Sequence, residues 1–151
     1  MSKLQQLNGD DHPAAAGKHL LDAQTLLVQR RADGAAYLSG YVVECALKSL
    51  LLHEKAWQSG DPLPWKKGAP GHKLNDLQSD LATLASLSGS KTARYFKSAT
   101  SAVSASAVAA WNPEMRYRAE TIAFDDARAW CETAESVYSE TIEEMEKDGL
   151  L

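Results

Sequence analysis

Residues 35–52 constrain the fold of this chain more than any other part of its sequence. They read AAYLSGYVVECALKSLLL, an almost continuous apolar run that contains one Glu and one Lys. At about 3.6 residues per turn, these apolar side chains cover the whole circumference of a helix. A helix that is apolar on every side is buried, because no face of it favours water. We therefore predict a central helix surrounded by other helices.

The two charged residues of this run, Glu44 and Lys48, stand four positions apart with the acid first. On a helix they share one face and can form an ion pair. An exposed pair of this kind stabilises a helix by only about 0.3–0.5 kcal/mol. A buried pair instead fixes how neighbouring helices align or forms part of a functional site. Because the setting is apolar, we favour a partly buried pair and assign both residues to the predicted ligand-binding set.

Helical periodicity continues on both sides of the central run, and no strand-like alternation interrupts it. Asp33 is predicted to cap the central helix, and His72 is predicted to cap the helix that follows. Between them, a loop that contains Trp65-Lys66-Lys67 is predicted to be exposed or to cover a bundle end. The fold is thus predicted as an all-α, up-and-down bundle of four to five helices. The predicted helices begin at Asp11–Pro13 and then span about 35–57, 74–87, 91–110 and 124–147, with a short turn at Asn112-Pro113.

Length and composition fit one globular domain. The chain has 151 residues, of which 44% are hydrophobic and 24% charged, and this is enough to bury a core without disulfides. We predict a disordered leader over residues 1–12 and a single helical domain over residues 13–151. The net charge of -4 argues against a uniformly basic nucleic-acid binder but permits a local basic patch.

Several common sites have no signature in the sequence. Cys45 and Cys131 lack the spacing of a zinc site, so we expect two buried thiols. Phosphate-loop, dinucleotide, esterase and ExxH motifs are missing, and we predict neither a metal nor a cofactor. Since Lys48 and His53 bound the longest apolar run, we expect no membrane span and a cytoplasmic location.

A second cluster of chemistry-bearing residues follows Trp111 and consists of Arg116-Tyr117-Arg118. Two guanidinium groups can hold a phosphate through paired hydrogen bonds, and the two aromatic rings can stack on a base. We predict that these four residues bind a ligand.

The alternative is a structural role for the same cluster. Arg116 would then pair with Glu114 or Glu120, or with Glu44 inside the bundle, while Tyr117 would pack into the core.

Several of these segments together resemble the HEPN family, the higher-eukaryote and prokaryote nucleotide-binding domains. The similarity covers about residues 14–147. It is carried by HLLDA at 19–23, AYLSGYVVECALK at 36–48, GHKLNDL at 71–77, and Trp111 followed by Arg116-Tyr117. The resemblance implies an up-and-down four-helix bundle, often dimeric, that acts as an RNase or as a non-catalytic nucleotide- or RNA-binding module. It also implies a toxin–antitoxin, phage-defence or nucleotidyltransferase-associated system.

The RNase members of that family carry an Arg, four to six residues, and then a His. No His follows His72 in this chain, so the motif is incomplete and catalysis lacks its usual proton carrier. The corresponding positions hold Thr121, Ile122, Ala123, Phe124 and Asp125.

We therefore expect a homodimer, because the central helix needs cover on several faces and Gly40 permits close approach. We expect it to bind a nucleotide or RNA without nuclease activity. One alternative is a metal-independent endoribonuclease in which Tyr117 or His72 replaces the missing His. The other is a purely structural module that binds a partner such as a nucleotidyltransferase.

Overall fold

The long apolar run forms helix α2 (Ala32–Ser59) at the centre of an all-α bundle in the computed structural model. The structure describes residues 2–59, 70–119 and 121–151, and those residues contain no strand. The predicted all-α helical bundle is confirmed, whereas the predicted loop around Trp65 lies outside the described residues. The other elements are α1 (His12–Val28), α3 (Leu74–Ala85), α4 (Ala93–Ser104), α5 (Phe124–Tyr138), α6 (Glu144–Lys147), two 3₁₀ turns (Ala107–Ala110 and Pro113–Tyr117) and one π-helical turn (Ser139–Glu143) that joins α5 to α6.

Helix α2 is buried on several sides by its own chain. Val42, Val43, Leu47, Leu50 and Leu51 have no exposed surface, and α1, α3 and α5 supply most of the cover. Its first 26 residues are long and apolar enough to cross a membrane, contrary to our expectation that no segment reaches this length. However, 83% of an apolar 18-residue stretch within that segment is buried in the bundle, as in the core helix of a globular protein. A single chain covers α2, so the argument for a homodimer loses its basis, and the dimer stays a prediction.

Helix α1 begins as predicted, since the Asp11 carboxylate accepts a hydrogen bond from the Ala14 N–H at 3.2 Å. The chain then reverses at Arg30, whose φ of 58° is left-handed. Because this residue makes the turn, α2 begins at Ala32, and the prediction that Asp33 caps it is wrong. Asp33 lies inside the first turn and instead accepts a hydrogen bond from the Ile122 N–H at 2.5 Å.

Two further helix ends differ from the sequence prediction. Helix α3 begins without a side-chain cap, so the capping role predicted for His72 is wrong. Helix α4 ends at Ser104 rather than near residue 110. The Ser106 hydroxyl accepts a hydrogen bond from the Val108 N–H at 3.3 Å and starts a separate 3₁₀ turn there. Serine side chains commonly divert a backbone from a continuing helix in this way.

Residues 2–11, predicted as a disordered leader, lie against the bundle. Leu4 is only 6% exposed and belongs to the core. The Ser2 hydroxyl donates to Asp11 at 2.7 Å, and the Lys3 ammonium donates to the Gly149 carbonyl at 2.6 Å. These contacts favour an ordered N-terminal segment.

The two cysteines are free and buried, as expected. Burial is the main cause that raises the pKa of the Cys45 thiol to about 12, and it also raises the pKa of Cys131. Neither thiol is therefore prone to ionise at neutral pH.

Helix α4 receives its cap from a distant residue. Glu54 of α2 has no exposed surface, and its Oε2 accepts hydrogen bonds from the backbone N–H groups of Lys91 and Thr92, both at 2.9 Å. The hydroxyls of Ser90 and Thr92 donate to the same oxygen at 3.1 and 2.7 Å. The buried Glu54 carboxylate thus accepts hydrogen bonds from backbone N–H groups just before α4, where no helical carbonyl is in reach.

Candidate functional site

One face of α2 carries the polar and aromatic side chains of the candidate site. Tyr37, Tyr41, Glu44 and Lys48 follow one another at intervals of four, three and four residues, which keeps them on the same side of a helix. The hydroxyls of Tyr37 and Tyr41 lie 3.1 Å apart, and their rings meet edge to face with centroids 5.2 Å apart. Both tyrosines lie outside the set of residues predicted from the sequence, although their spacing to Glu44 is visible there.

Trp111 docks onto this face and is only 2% exposed. Its indole N–H donates to the Tyr37 carbonyl at 3.0 Å, and its ring meets the Tyr41 ring at 4.7 Å with an interplanar angle of 73°. A methyl group at Gly40 would lie 2.1 Å from the indole, so only glycine permits this contact. The ring of Trp111 is therefore committed to packing, and Trp111 positions the segment that follows it.

That segment is the 3₁₀ turn Pro113–Tyr117, which Asn112 caps as predicted by accepting from the Glu114 N–H at 3.1 Å. The turn presents Arg116, whose guanidinium carbon lies 4.7 Å from the centroid of the Tyr117 ring. Tyr117 is 72% exposed, so the alternative that it packs into the core is wrong.

Arg116 is exposed and has no carboxylate partner among the described residues. Its predicted alternative pairings with Glu44 and Glu114 therefore do not form, and Glu120 lies outside the described residues. The hydroxyl of Tyr117 and then that of Tyr37 raise the pKa of Arg116. Its charge is thus available to a ligand.

Two depressions flank Arg116. The smaller has a volume of about 280 Å³, includes Arg118 and Tyr37, and lies against the start of α2. The larger has a volume of about 910 Å³ and lies between the Pro113–Tyr117 turn and the start of α3. Arg116 lines both, so one side chain can reach a ligand in either. The polar residues of the larger depression are Tyr41, His72, Lys73, Asn75, Asp76, Asn112, Glu114 and Arg116.

Glu44 and Lys48 form the buried pair that the sequence predicts. Their charged atoms lie 2.7 Å apart, and the residues are 3% and 6% exposed. Neither lines the depressions, so they do not join the arginines directly. The structure instead connects Glu44 to the larger depression through His72, whose Nδ1 lies 2.9 Å from Glu44 Oε1. The two residues lie 28 positions apart in the sequence, so local spacing could not reveal this contact.

Two buried atoms beside this pair have no hydrogen-bond partner among the described residues. They are Oε2 of Glu44 and Nδ1 of His19, whose ring lies 5.4 Å from that of Tyr41. Burial, followed by the charge of Lys18, lowers the pKa of His19, so the imidazole is neutral at neutral pH. Burial and the Tyr37 hydroxyl raise the pKa of Tyr41 to about 12, so this phenol stays protonated.

Within the described part of the chain, no group of three or more His, Cys, Asp or Glu residues could hold a metal ion. No protein-family model, curated protein or solved structure matches this chain. The HEPN resemblance therefore stays a prediction.

Proposed function

We propose that this protein is a HEPN-like helical module that binds a nucleotide or RNA through Arg116, in a toxin–antitoxin or defence-type system, without nuclease activity. The observation that supports binding is an exposed guanidinium that forms no ion pair with a described residue and lines two depressions. A guanidinium can donate two parallel hydrogen bonds to a phosphate, and a lysine cannot reproduce that geometry.

The neighbours of Arg116 suit the rest of such a ligand. Tyr117 offers an exposed ring on which a base can stack, and Arg118 adds a second positive charge in the smaller depression. His72 and Lys73 provide donors on the opposite side, in the larger depression. The phosphate and the base of one ligand could therefore both contact suitable side chains near the Pro113–Tyr117 turn.

We expect Arg116→Ala to weaken the binding of a nucleotide or short RNA by about ten- to hundredfold, because hydrogen bonds to a charged group contribute about 1.5–3 kcal/mol. Arg116→Lys should retain the charge but still bind more weakly. Calorimetric titration with a nucleotide panel and a short RNA measures both effects.

Arg94→Ala is the matched control, since Arg94 of α4 is also exposed, pairs with Asp148 and lines neither depression. It removes the same charge and should leave the affinity unchanged. If the wild-type protein gives no saturable heat with any of these ligands, Arg116 is an ordinary surface residue and the proposal fails.

One observation favours a second candidate function, a metal-independent endoribonuclease. His72 is oriented by the buried Glu44 carboxylate and lines the same depression as Arg116. A histidine held by a carboxylate is a suitable proton carrier, and such a group typically contributes about 10²–10⁴-fold to a reaction rate. Tyr117, the other predicted substitute for the missing His, has no such partner among the described residues.

We nevertheless expect no RNA cleavage, because His72 lies in the segment before α3 and does not complete the family-like Arg–His motif. The assay incubates a mixed RNA pool with the wild-type protein in the presence of a chelator. Cleavage that disappears in both Arg116→Ala and His72→Ala would replace the binding proposal with the endoribonuclease. If the protein neither cleaves nor binds, the partner-binding module, for example with a nucleotidyltransferase, becomes the better hypothesis.

A further inference from the structure

The corner between α1 and α2, residues 29–31, lies beside the segment that follows Arg118. The guanidinium carbon of Arg30 lies 4.3 Å from the centroid of the Phe124 ring. On the other side of the corner, Asp33 accepts the hydrogen bond from the Ile122 N–H and also lines the smaller depression. The corner and the candidate site therefore share one end of the bundle.

Four exposed arginines gather at this end, and none forms an ion pair with a described residue. They stand out on a chain whose net charge is -4. Two nearby carboxylates are engaged elsewhere, since that of Asp33 accepts a backbone hydrogen bond and that of Asp125 pairs with Arg128, whereas Glu114 lines the larger depression with Arg116. The four are Arg30, Arg31, Arg116 and Arg118.

The backbone at Arg30 provides an independent observation. The Arg30 N–H donates to the Leu27 carbonyl at 2.9 Å, and the Arg31 N–H donates to the Leu26 carbonyl at 2.8 Å. This is the helix-ending pattern in which glycine usually occupies the left-handed position, here held by Arg30 at φ 58°. Arg30 therefore occupies a position that glycine usually takes, and its guanidinium faces the Phe124 ring.

We propose that Arg30 and Arg31 extend the Arg116 site into a track for a single-stranded polynucleotide. This inference rests on the proposed function. A mononucleotide carries its phosphates at one end, whereas a strand places successive phosphates along several arginines. Unpaired bases can stack on the exposed Tyr117, which a duplex does not permit.

The test compares a 12-nucleotide strand with a mononucleotide, with RNA and DNA strands as separate arms that identify the sugar. In the double variant Arg30→Gly/Arg31→Ala, affinity for the strand should fall roughly tenfold in 0.1 M salt, because two phosphate contacts are lost. The slope of log affinity against log salt should become shallower by about 1.4, at about 0.7 per contact. Mononucleotide affinity should not change.

Arg30→Gly alone separates binding from folding. It relieves the left-handed strain but removes the Arg30–Phe124 contact, so the melting temperature should change little while strand affinity falls. The charge-matched control is Lys97→Ala/Lys147→Ala, which changes exposed lysines on α4 and α6. Lys97 lies one turn into α4, whose preceding residues bind Glu54 about 31 Å along α2 from Asp33 at ~1.5 Å per residue. Lys147 is next to Asp148, which pairs with Arg94 in the first turn of α4.

Unchanged strand affinity and salt slope in the double variant, with Arg116→Ala still defective, would overturn the track but preserve the proposed function. Failure of the wild-type protein to bind either ligand would overturn both. If polyphosphate of equal charge binds as tightly as the strand, the bases contribute nothing to the affinity. That result would also overturn the assignment of the site to a polynucleotide.

Discussion

Gly40→Ala is expected to lower the free energy of unfolding by about 3 kcal/mol and to remove ligand binding at Arg116. The added methyl group would lie 2.1 Å from the Trp111 indole, and the atom it meets is part of a rigid ring. Overpacking in a core costs about 1–3 kcal/mol, and displacement of a buried tryptophan costs about as much as its truncation, about 3–5 kcal/mol. Because the Arg116 turn begins two residues after Trp111, its position should be lost with the indole contact.

Gly34→Ala provides the matched control in the same helix. There the new methyl group would meet only the end of the Leu26 side chain, at 3.0 Å, and a flexible side chain can move. The gain in helix propensity, about 0.5–1 kcal/mol, should offset that contact. Urea unfolding of both variants measures the difference in stability. Because Gly34 lines the smaller depression, ligand titration compares Gly40→Ala with the wild-type protein only. Equal stability of the two variants would show that the Trp111–Gly40 contact does not hold the site.

Glu54→Ala should lower the free energy of unfolding by about 2–5 kcal/mol. The N–H and the hydroxyl of Thr92 are both fully buried, and each buried donor left without its acceptor costs about 1–3 kcal/mol. Glu54→Gln should cost less, because an amide oxygen can accept the same hydrogen bonds without their charge. Chemical denaturation of the two variants measures both effects.

Glu132→Ala is the control for Glu54, since Glu132 is an exposed glutamate on α5 and its removal should change stability by no more than about 0.5 kcal/mol. Hydrogen exchange at the start of α4 gives a second readout. Faster exchange at Lys91 and Thr92 in Glu54→Ala would locate the damage at the cap. Unaltered exchange there would contradict the capping role.

The sequence predicted the all-α bundle and the central position of α2 from periodicity alone. It also predicted the Glu44–Lys48 pair, the Asn112 cap and the buried cysteines. These features depend on residues within one or two helical turns of each other or on local composition, and spacing records such relations directly.

The two wrong capping predictions have one cause. Asp33 and His72 were expected to cap the helices beside them, as their residue types often do. Each instead binds a group from a distant segment, the Ile122 N–H and the Glu44 carboxylate. Local spacing carries no information about such partners.

The candidate site shows the same division. Arg116, Tyr117 and Arg118 were identifiable as a cluster because they are consecutive, and Tyr37 and Tyr41 could have been found from their helical spacing to Glu44. Only the tertiary structure showed that the Trp111 ring packs against Gly40. It also showed that His72 contacts Glu44 and lines the depression that contains Arg116. It likewise decided that the α1–α2 corner faces the segment after Arg118. The sequence by itself determined which helices form, because helix formation is local, whereas the packing of those helices determined which side chains meet.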